Sequence, residues 1–297
     1  MLSVDEAFSK FKTRLEIGTK EEAAASSRQK KIRAQVEASM DVVNDFLTGA
    51  YVRDTKTKPL RDVDIMVVLG DDDAAEYRKK HPREVLKALK NVLTPHYGDD
   101  RVCTDRRCVR VDFGVTVVDD VSDDVISFDV VPAFANGDAF VIPDDVLGEW
   151  IDTDPRIHKT MATDANKAFS LQWKPVVKMA KKWNQHNGGP IEPSFLIEVM
   201  ALKLFDGPWG GSYPYELRQF FASAADRVDE GWPDPAEVGP DVSDVLDGSS
   251  TKMNAARQAF RDAEAACTEA LRLDRAGRTG EALTTWQNLF GPAFAKS

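Results

Sequence analysis

Two aspartates on either side of one valine open an apolar run: Asp62-Val63-Asp64 leads into Ile65-Met66-Val67-Val68-Leu69, which Gly70 and Asp71 to Asp73 bring to an end. The run reads as a buried strand. Residues two apart in a strand share a face, so both carboxylates are expected to project the same way from an otherwise apolar segment. Like charges held this close repel unless a cation lies between them. A third acid, Asp129, sits inside Phe128-Asp129-Val130-Val131-Pro132, an expensive place for an unpaired charge. If the two strands are neighbours, three carboxylates converge. Mg²⁺ prefers oxygen ligands and suits phosphates, and three such acids suffice for two Mg²⁺ ions, with Mn²⁺ as a substitute. An isolated Asp-x-Asp is ordinarily a solvated strand end. Asp71 to Asp73 and Asp123-Asp124 are assigned to turns on that ground, and Asp112 is left outside the site.

Around this segment the order is helices, a mixed α/β block, then helices. Ser3 with Glu6 forms a capping box before Phe8, Phe11 and Leu15. Thr19 with Glu22 repeats the signal, and a long helix is expected to reach about Val43, with Ile32, Val36, Met40 and Val43 on one stripe. Thr48-Gly49-Ala50 reads as a turn. A helix follows Pro82, and strands are expected over Val109 to Val118 and Ile126 to Val131, joined by an acidic turn over Asp119 to Asp124. Helices resume over Phe169 to Trp183, Ser194 to Leu204, Lys252 to Leu273 and Glu281 to Phe290, with polar loops at Gly207 to Tyr213 and 232–250. The expected division is a catalytic lobe with N-terminal helices over 1–165 and a helical lobe over 166–297.

Composition narrows the setting. The chain has 297 residues and a net charge of -10, which disfavours broad binding to duplex nucleic acid, where Lys and Arg supply the affinity. An acidic protein handling a polyanion has to concentrate cations locally. No stretch approaches the roughly 18–20 apolar residues of a membrane span. Residues 1–6 lack the basic and apolar regions of a signal peptide, so the expected location is the cytoplasm. Three cysteines, Cys103, Cys108 and Cys267, build neither a disulfide framework nor a zinc site.

At this point the chain resembles a known family. Gly49-Ala50-Tyr51-Val52-Arg53-Asp54-Thr55, followed by Pro59 to Ile65, is similar to the DNA polymerase β-type nucleotidyltransferase signature. Phe128 to Phe134, Ile142-Pro143-Asp144, Trp150 to Pro155, Lys181 to Asn184, Ser194 to Glu198 and Trp286 to Gly291 resemble the bacterial cGAS/DncV-like nucleotidyltransferases (CD-NTases). The acids alone specify only the superfamily; the ordered series after them points to the subfamily.

The resemblance implies an α+β, bilobed polymerase-β-like fold, with a mixed β-sheet catalytic lobe, a helical lobe and a long N-terminal helix. It implies synthesis of cyclic di- or trinucleotides, or short linear oligonucleotides, from NTPs such as ATP and GTP, in anti-phage signalling where the product diffuses to a separate effector. It assigns Asp62, Asp64 and Asp129 to metal binding and catalysis, and Gly49, Ala50, Lys181, Ser194 and Phe195 to the nucleotide. A Gly turn allows close backbone approach, a lysine serves as a mobile charge for phosphate, and an aromatic face supports a base. The plainer roles are a solvated lysine among Lys174, Lys178 and Lys182, a helix cap at Ser194 and a core ring at Phe195; Trp183 is assigned to the core. The family usually has Ser where this chain has Ala50. The backbone N–H survives that change, and one lost hydroxyl contact costs on the order of 1–3 kcal/mol. Two other readings stay open from the residues: transfer to an RNA, protein or small-molecule acceptor, and a nucleotide-binding regulator with weak turnover.

Overall fold

The computed structural model describes residues 2–117 and 124–294. In chain order the elements are α1 (Val4–Leu15), α2 (Thr19–Glu37), β1 (Val42–Leu47), α3 (Gly49–Arg53), β2 (Val63–Leu69), α4 (Asp71–Tyr77), α5 (Arg83–Tyr97), β3 (Val102–Thr104), β4 (Val109–Asp112), β5 (Ser127–Asn136), β6 (Ala139–Asp144) and β7 (Glu149–Thr153). Helices then run to the end: α6 (Pro155–Ala168), α7 (Trp173–His186), α8 (Phe195–Leu204), α9 (Tyr213–Arg227), α10 (Asp244–Asp247), α11 (Ser250–Arg275) and α12 (Thr279–Phe290). The contacts divide the chain into two units, 17–158 and 1–16 with 159–297.

The first of these holds a seven-stranded mixed sheet, ordered β1-β2-β5-β4-β3, with β6 and β7 continuing from β5. β2 and β5 run parallel, while β1 pairs β2 and β4 pairs β5 antiparallel. Alternation assigns the faces. Val63, Ile65, Val67 and Leu69 pack with Ile32 and Val36 of α2 and with Val85, Leu86, Leu89 and Leu93 of α5. Met66 and Val68 join a separate small cluster with Ala133 and Ile142. Asp64 therefore shares the sheet face of Met66 and Val68, and Asp129 that of Ala133, away from α2 and α5.

The second unit is helical around one aromatic-rich core. The Ser3–Glu6 capping box is present, with Ser3 N–H donating to Glu6 at 2.8 Å and Glu6 N–H to Ser3 Oγ at 3.2 Å. The helix it starts buries Phe8 against Trp286 and Phe294, with ring centroids 4.9 and 5.1 Å apart, and Phe11 against Phe290 at 4.9 Å. Those contacts place residues 1–16 with 159–297, whereas the sequence reading grouped 1–165. Lys178 Nζ donates to Glu16 at 2.6 Å, fastening the end of α1 to α7. Trp183 lies in the core, as expected, 4.8 Å from Phe221 and 5.4 Å from Phe260. The two polar loops are tied down. Gly210 N–H donates to Glu216 at 2.7 Å, and the buried Trp232 N–H donates to Ser243 Oγ, which donates to Asp247.

Several expectations are corrected. The long N-terminal helix, α2, stops at Glu37 rather than near Val43. Val43 belongs to β1, whose pairing with β2 overrides the apparent helical stripe, and it is exposed. The second cap falls one residue early, with Gly18 N–H donating to Glu21. Asp71 to Asp73 form the first turn of α4, where the helix dipole favours acids, instead of a plain turn. Gly49-Ala50 begins the short helix α3. β4 ends at Asp112, and β3, β6 and β7 were not read. Val118 and the acidic turn through Asp123 lie outside the described residues. Asp124 pairs with Arg28 at 3.0 Å.

Candidate active site

The parallel pairing of β2 with β5 sets Asp64 opposite Asp129 in the ladder. Two apolar strands thus bring these two residues side by side on one face of the sheet. Thr48 N–H donates to the Asp64 carbonyl at 2.9 Å, which brings the following residue, Gly49, against Asp64. A Cβ built on Gly49 would lie 1.6 Å from Asp64 Oδ2, and its φ is +61°. Only glycine satisfies both the left-handed backbone and that contact.

Asp62 precedes β2 and has φ +47°, a conformation aspartate tolerates better than most residues. Ser127 secures it from the start of β5: Asp62 N–H donates to Ser127 Oγ at 3.1 Å, and that hydroxyl donates to Asp62 Oδ1 at 2.9 Å. Asp129 is the least exposed of the three acids that meet Arg110, at 13% against 55% for Asp62 and 54% for Asp105. Arg110, opposite Asp129 on β4, donates from Nε to Oδ1 at 2.9 Å and from Nη2 to Oδ2 at 3.2 Å. Nη2 also lies 3.7 Å from Asp62 Oδ1. Burial pushes the Asp129 carboxyl above its ordinary value; Arg110 opposes this, and Asp62 and Asp105 add to it.

Among the described residues, no three His, Cys, Asp or Glu side chains close into a ready-made metal group. The donor chemistry nevertheless fits a hard cation. The acids offer oxygen only, Gly49 leaves space where any other side chain would intrude on Asp64, and a guanidinium already bridges Asp62 and Asp129 as positive charge.

Of the remaining candidates, Lys181, Ser194 and Phe195 lie in the helical unit and Ala50 in the sheet unit. Lys181 is no solvated lysine. Its Nζ donates to Glu198 at 2.9 Å, with the two side chains 10% and 1% exposed. Lys178 and Lys182 are buried as well. Ser194 is exposed at the head of α8 and makes no side-chain cap bond, which removes the capping role. Phe195 is half-buried against the helical core. Ala50 is half-buried in α3, and Thr48 is buried before it.

Sequence reasoning missed three residues. An arginine between Val109 and Val111 was the available sign for Arg110, since a charge inside an apolar strand needs a partner. Ser127 carried no sign. Asp144, quoted only as part of a motif, is fully buried. It accepts from Arg106 Nε at 2.9 Å, from Arg107 Nε at 2.8 Å and from the Leu147 N–H at 3.0 Å. It thereby fastens the β3–β4 turn that leads into Arg110. Burial drives its carboxyl up, but these donors outweigh that and hold it below the ordinary aspartate value. Burial pushes the Cys108 and Cys267 thiols far up, consistent with structural roles.

A family model described as the Second Messenger Oligonucleotide or Dinucleotide Synthetase domain matches residues 2–166. A probable cyclic nucleotide synthase of Bacillus cereus is 28% identical over 283 residues, covering 83% of this chain and 80% of the relative. A cyclic AMP-AMP-AMP synthase of an Acinetobacter species is 27% identical over 195 residues, covering 61% and 51%. Among solved structures, Escherichia coli CdnC with ATP superposes with TM-score 0.71 at 19% identity over 99% of each chain. CdnG of Bradyrhizobium diazoefficiens with GTP gives 0.71 at 14% identity, over 97% of this chain and 96% of that one. These likenesses show the same fold. No helix among the described residues is long and apolar enough to cross a membrane.

Proposed function

The chain belongs to the bacterial CD-NTase family, the nucleotidyltransferases that make cyclic oligonucleotides from NTPs, and from that premise we propose that Asp62, Asp64 and Asp129 are its metal-binding and catalytic acids. The observation that carries this reading is the ladder pairing of Asp64 with Asp129, with Gly49 pressed against the first and Arg110 on the second. Mg²⁺ bound there, as two ions or with Mn²⁺ in its place, would neutralise the triphosphate and acidify the attacking hydroxyl. The chain's own residues do the rest. Asp62 and Asp64 fix the oxygen ligands at the head of a rigid strand. Asp129, on the neighbouring strand, takes the proton of the attacking hydroxyl at an Oδ atom. In the same reading the backbone N–H groups at Gly49 and Ala50 contact a phosphate, Lys181 held by Glu198 supplies charge to phosphate, Ser194 a hydroxyl and Phe195 a face for a base.

In this reading the product is a diffusible cyclic di- or trinucleotide, or short linear oligonucleotide, that activates an effector in anti-phage defence. The relatives named as cyclic nucleotide synthases support the product class, and the neighbours solved with ATP and GTP support those NTPs as substrates. Purified protein incubated with each labelled NTP and Mg²⁺ or Mn²⁺ should yield a phosphatase-resistant product. Folded protein that forms none from all four NTPs, singly and mixed, would refute the reading, and label passed to added RNA or protein would redirect it to another acceptor.

A further inference from the structure

A single guanidinium faces three carboxylates in the sheet unit. Arg110 holds both oxygens of Asp129 at 2.9 and 3.2 Å, and its Nη2 lies 3.7 Å from Asp62 and 3.8 Å from Asp105. Two of these acids are the proposed metal ligands, so cation and guanidinium compete for the same lone pairs. A planar, bidentate arginine satisfies Asp129 well enough to hold it in place without any metal. We propose that Arg110 is the resident counter-cation of the acid site, a positioning residue from which a divalent cation must win Asp62 and part of Asp129. The inference rests on the assignment of these acids as metal ligands.

Asp105 gives the displaced group a destination. It sits in the β3–β4 turn, its N–H donating to the Cys108 carbonyl at 2.9 Å and its Oδ1 accepting from the Arg106 N–H at 2.6 Å. Asp144 anchors the same turn through Arg106 and Arg107. A short swing of the guanidinium towards Asp105 exchanges one carboxylate partner for another, so Arg110 stays paired while Asp62 is released. The consequence is a metal site that binds weakly on its own. Strong binding waits for the triphosphate, whose oxygens replace what Arg110 withholds. The metal-free acids are meanwhile kept assembled.

The test is Mn²⁺ binding to the full-length protein without nucleotide, read from the paramagnetic resonance signal of the free ion. Wild type, Arg110→Gln and Arg110→Lys are compared, each with and without Asp62→Asn plus Asp64→Asn. Arg110→Gln should bind Mn²⁺ about tenfold more tightly than wild type, because a competing charge is gone. Arg110→Lys, which cannot grip both oxygens of Asp129, should bind a few-fold more tightly. If the glutamine variant fails to fold, the lysine variant still tests the direction, with its smaller expected gain. In every background the acid substitutions should abolish the binding. Affinities equal to or below wild type in the folded Arg110 variants, with binding still dependent on the acids, overturn the counter-cation role and leave the metal site standing. Binding that survives the acid substitutions overturns the site assignment and this inference together.

Discussion

Gly49 and Asp64 are in contact so close that a Cβ at the glycine would lie 1.6 Å from the carboxylate oxygen. The glycine belongs to the start of α3 and the aspartate to β2, and the Thr48–Asp64 backbone bond holds the two segments together. Gly49→Ala therefore asks for two adjustments. The backbone must keep φ +61° with a side chain, at about 1–2 kcal/mol, and Asp64 must rotate away. The expected outcome is a folded protein whose turnover falls by about a hundredfold or more, since misplacing a catalytic group by an ångström has that effect. Circular dichroism and initial rates check it; near-normal turnover would show that Asp64 need not stay where it is.

Lys181 and Glu198 form a pair largely withdrawn from water. Removing one partner of such a pair costs about 3–5 kcal/mol, because the other charge is left uncompensated. Glu198→Ala is expected to lower the thermal midpoint strongly. Glu198→Gln keeps an acceptor and should lower it less. If Lys181 meets the triphosphate, Glu198→Gln should also raise KM for NTP by about tenfold as the lysine loses its orientation. An unchanged KM in the glutamine variant would remove Lys181 from the nucleotide contacts.

Asp144 yields a pH signature. Its folded carboxyl lies below the ordinary value of 3.8, so the folded state gains from its ionised form. That stability is complete above the unfolded value and disappears as pH falls through the lower folded value. Asp144→Asn should therefore be less stable than wild type at neutral pH, and the gap should begin to shrink as the pH drops below about 4 and vanish only below the lower folded value. Urea midpoints across pH 2–7 measure it. A gap that stays constant over that range would contradict the role of the charge.

The acid strands were readable because each combines an apolar run with a charge that has no ordinary reason to be there. Asp64 and Asp129 declare themselves by cost, and the Ser3–Glu6 box by local chemistry. β1 was hidden for the opposite reason. It is an edge strand whose Asn44 and Asp45 break alternation, and only its distant partners Ile65 to Leu69 make it a strand. The pairing of α1 with α12 was hidden likewise, because Phe8 and Trp286 are far apart in the chain and no local periodicity reports their contact. Arg110 declared its need for a partner but not which acid would supply it.

The central claim is tested most directly by mass spectrometry of the products formed from mixed NTPs with Mg²⁺ or Mn²⁺, by wild type and by Asp62→Asn with Asp64→Asn. Wild type should yield a cyclic or short linear oligonucleotide, and the folded double variant none above the uncatalysed background. Equal product from both proteins would contradict the account, because turnover would then not need the carboxylates on which it is built.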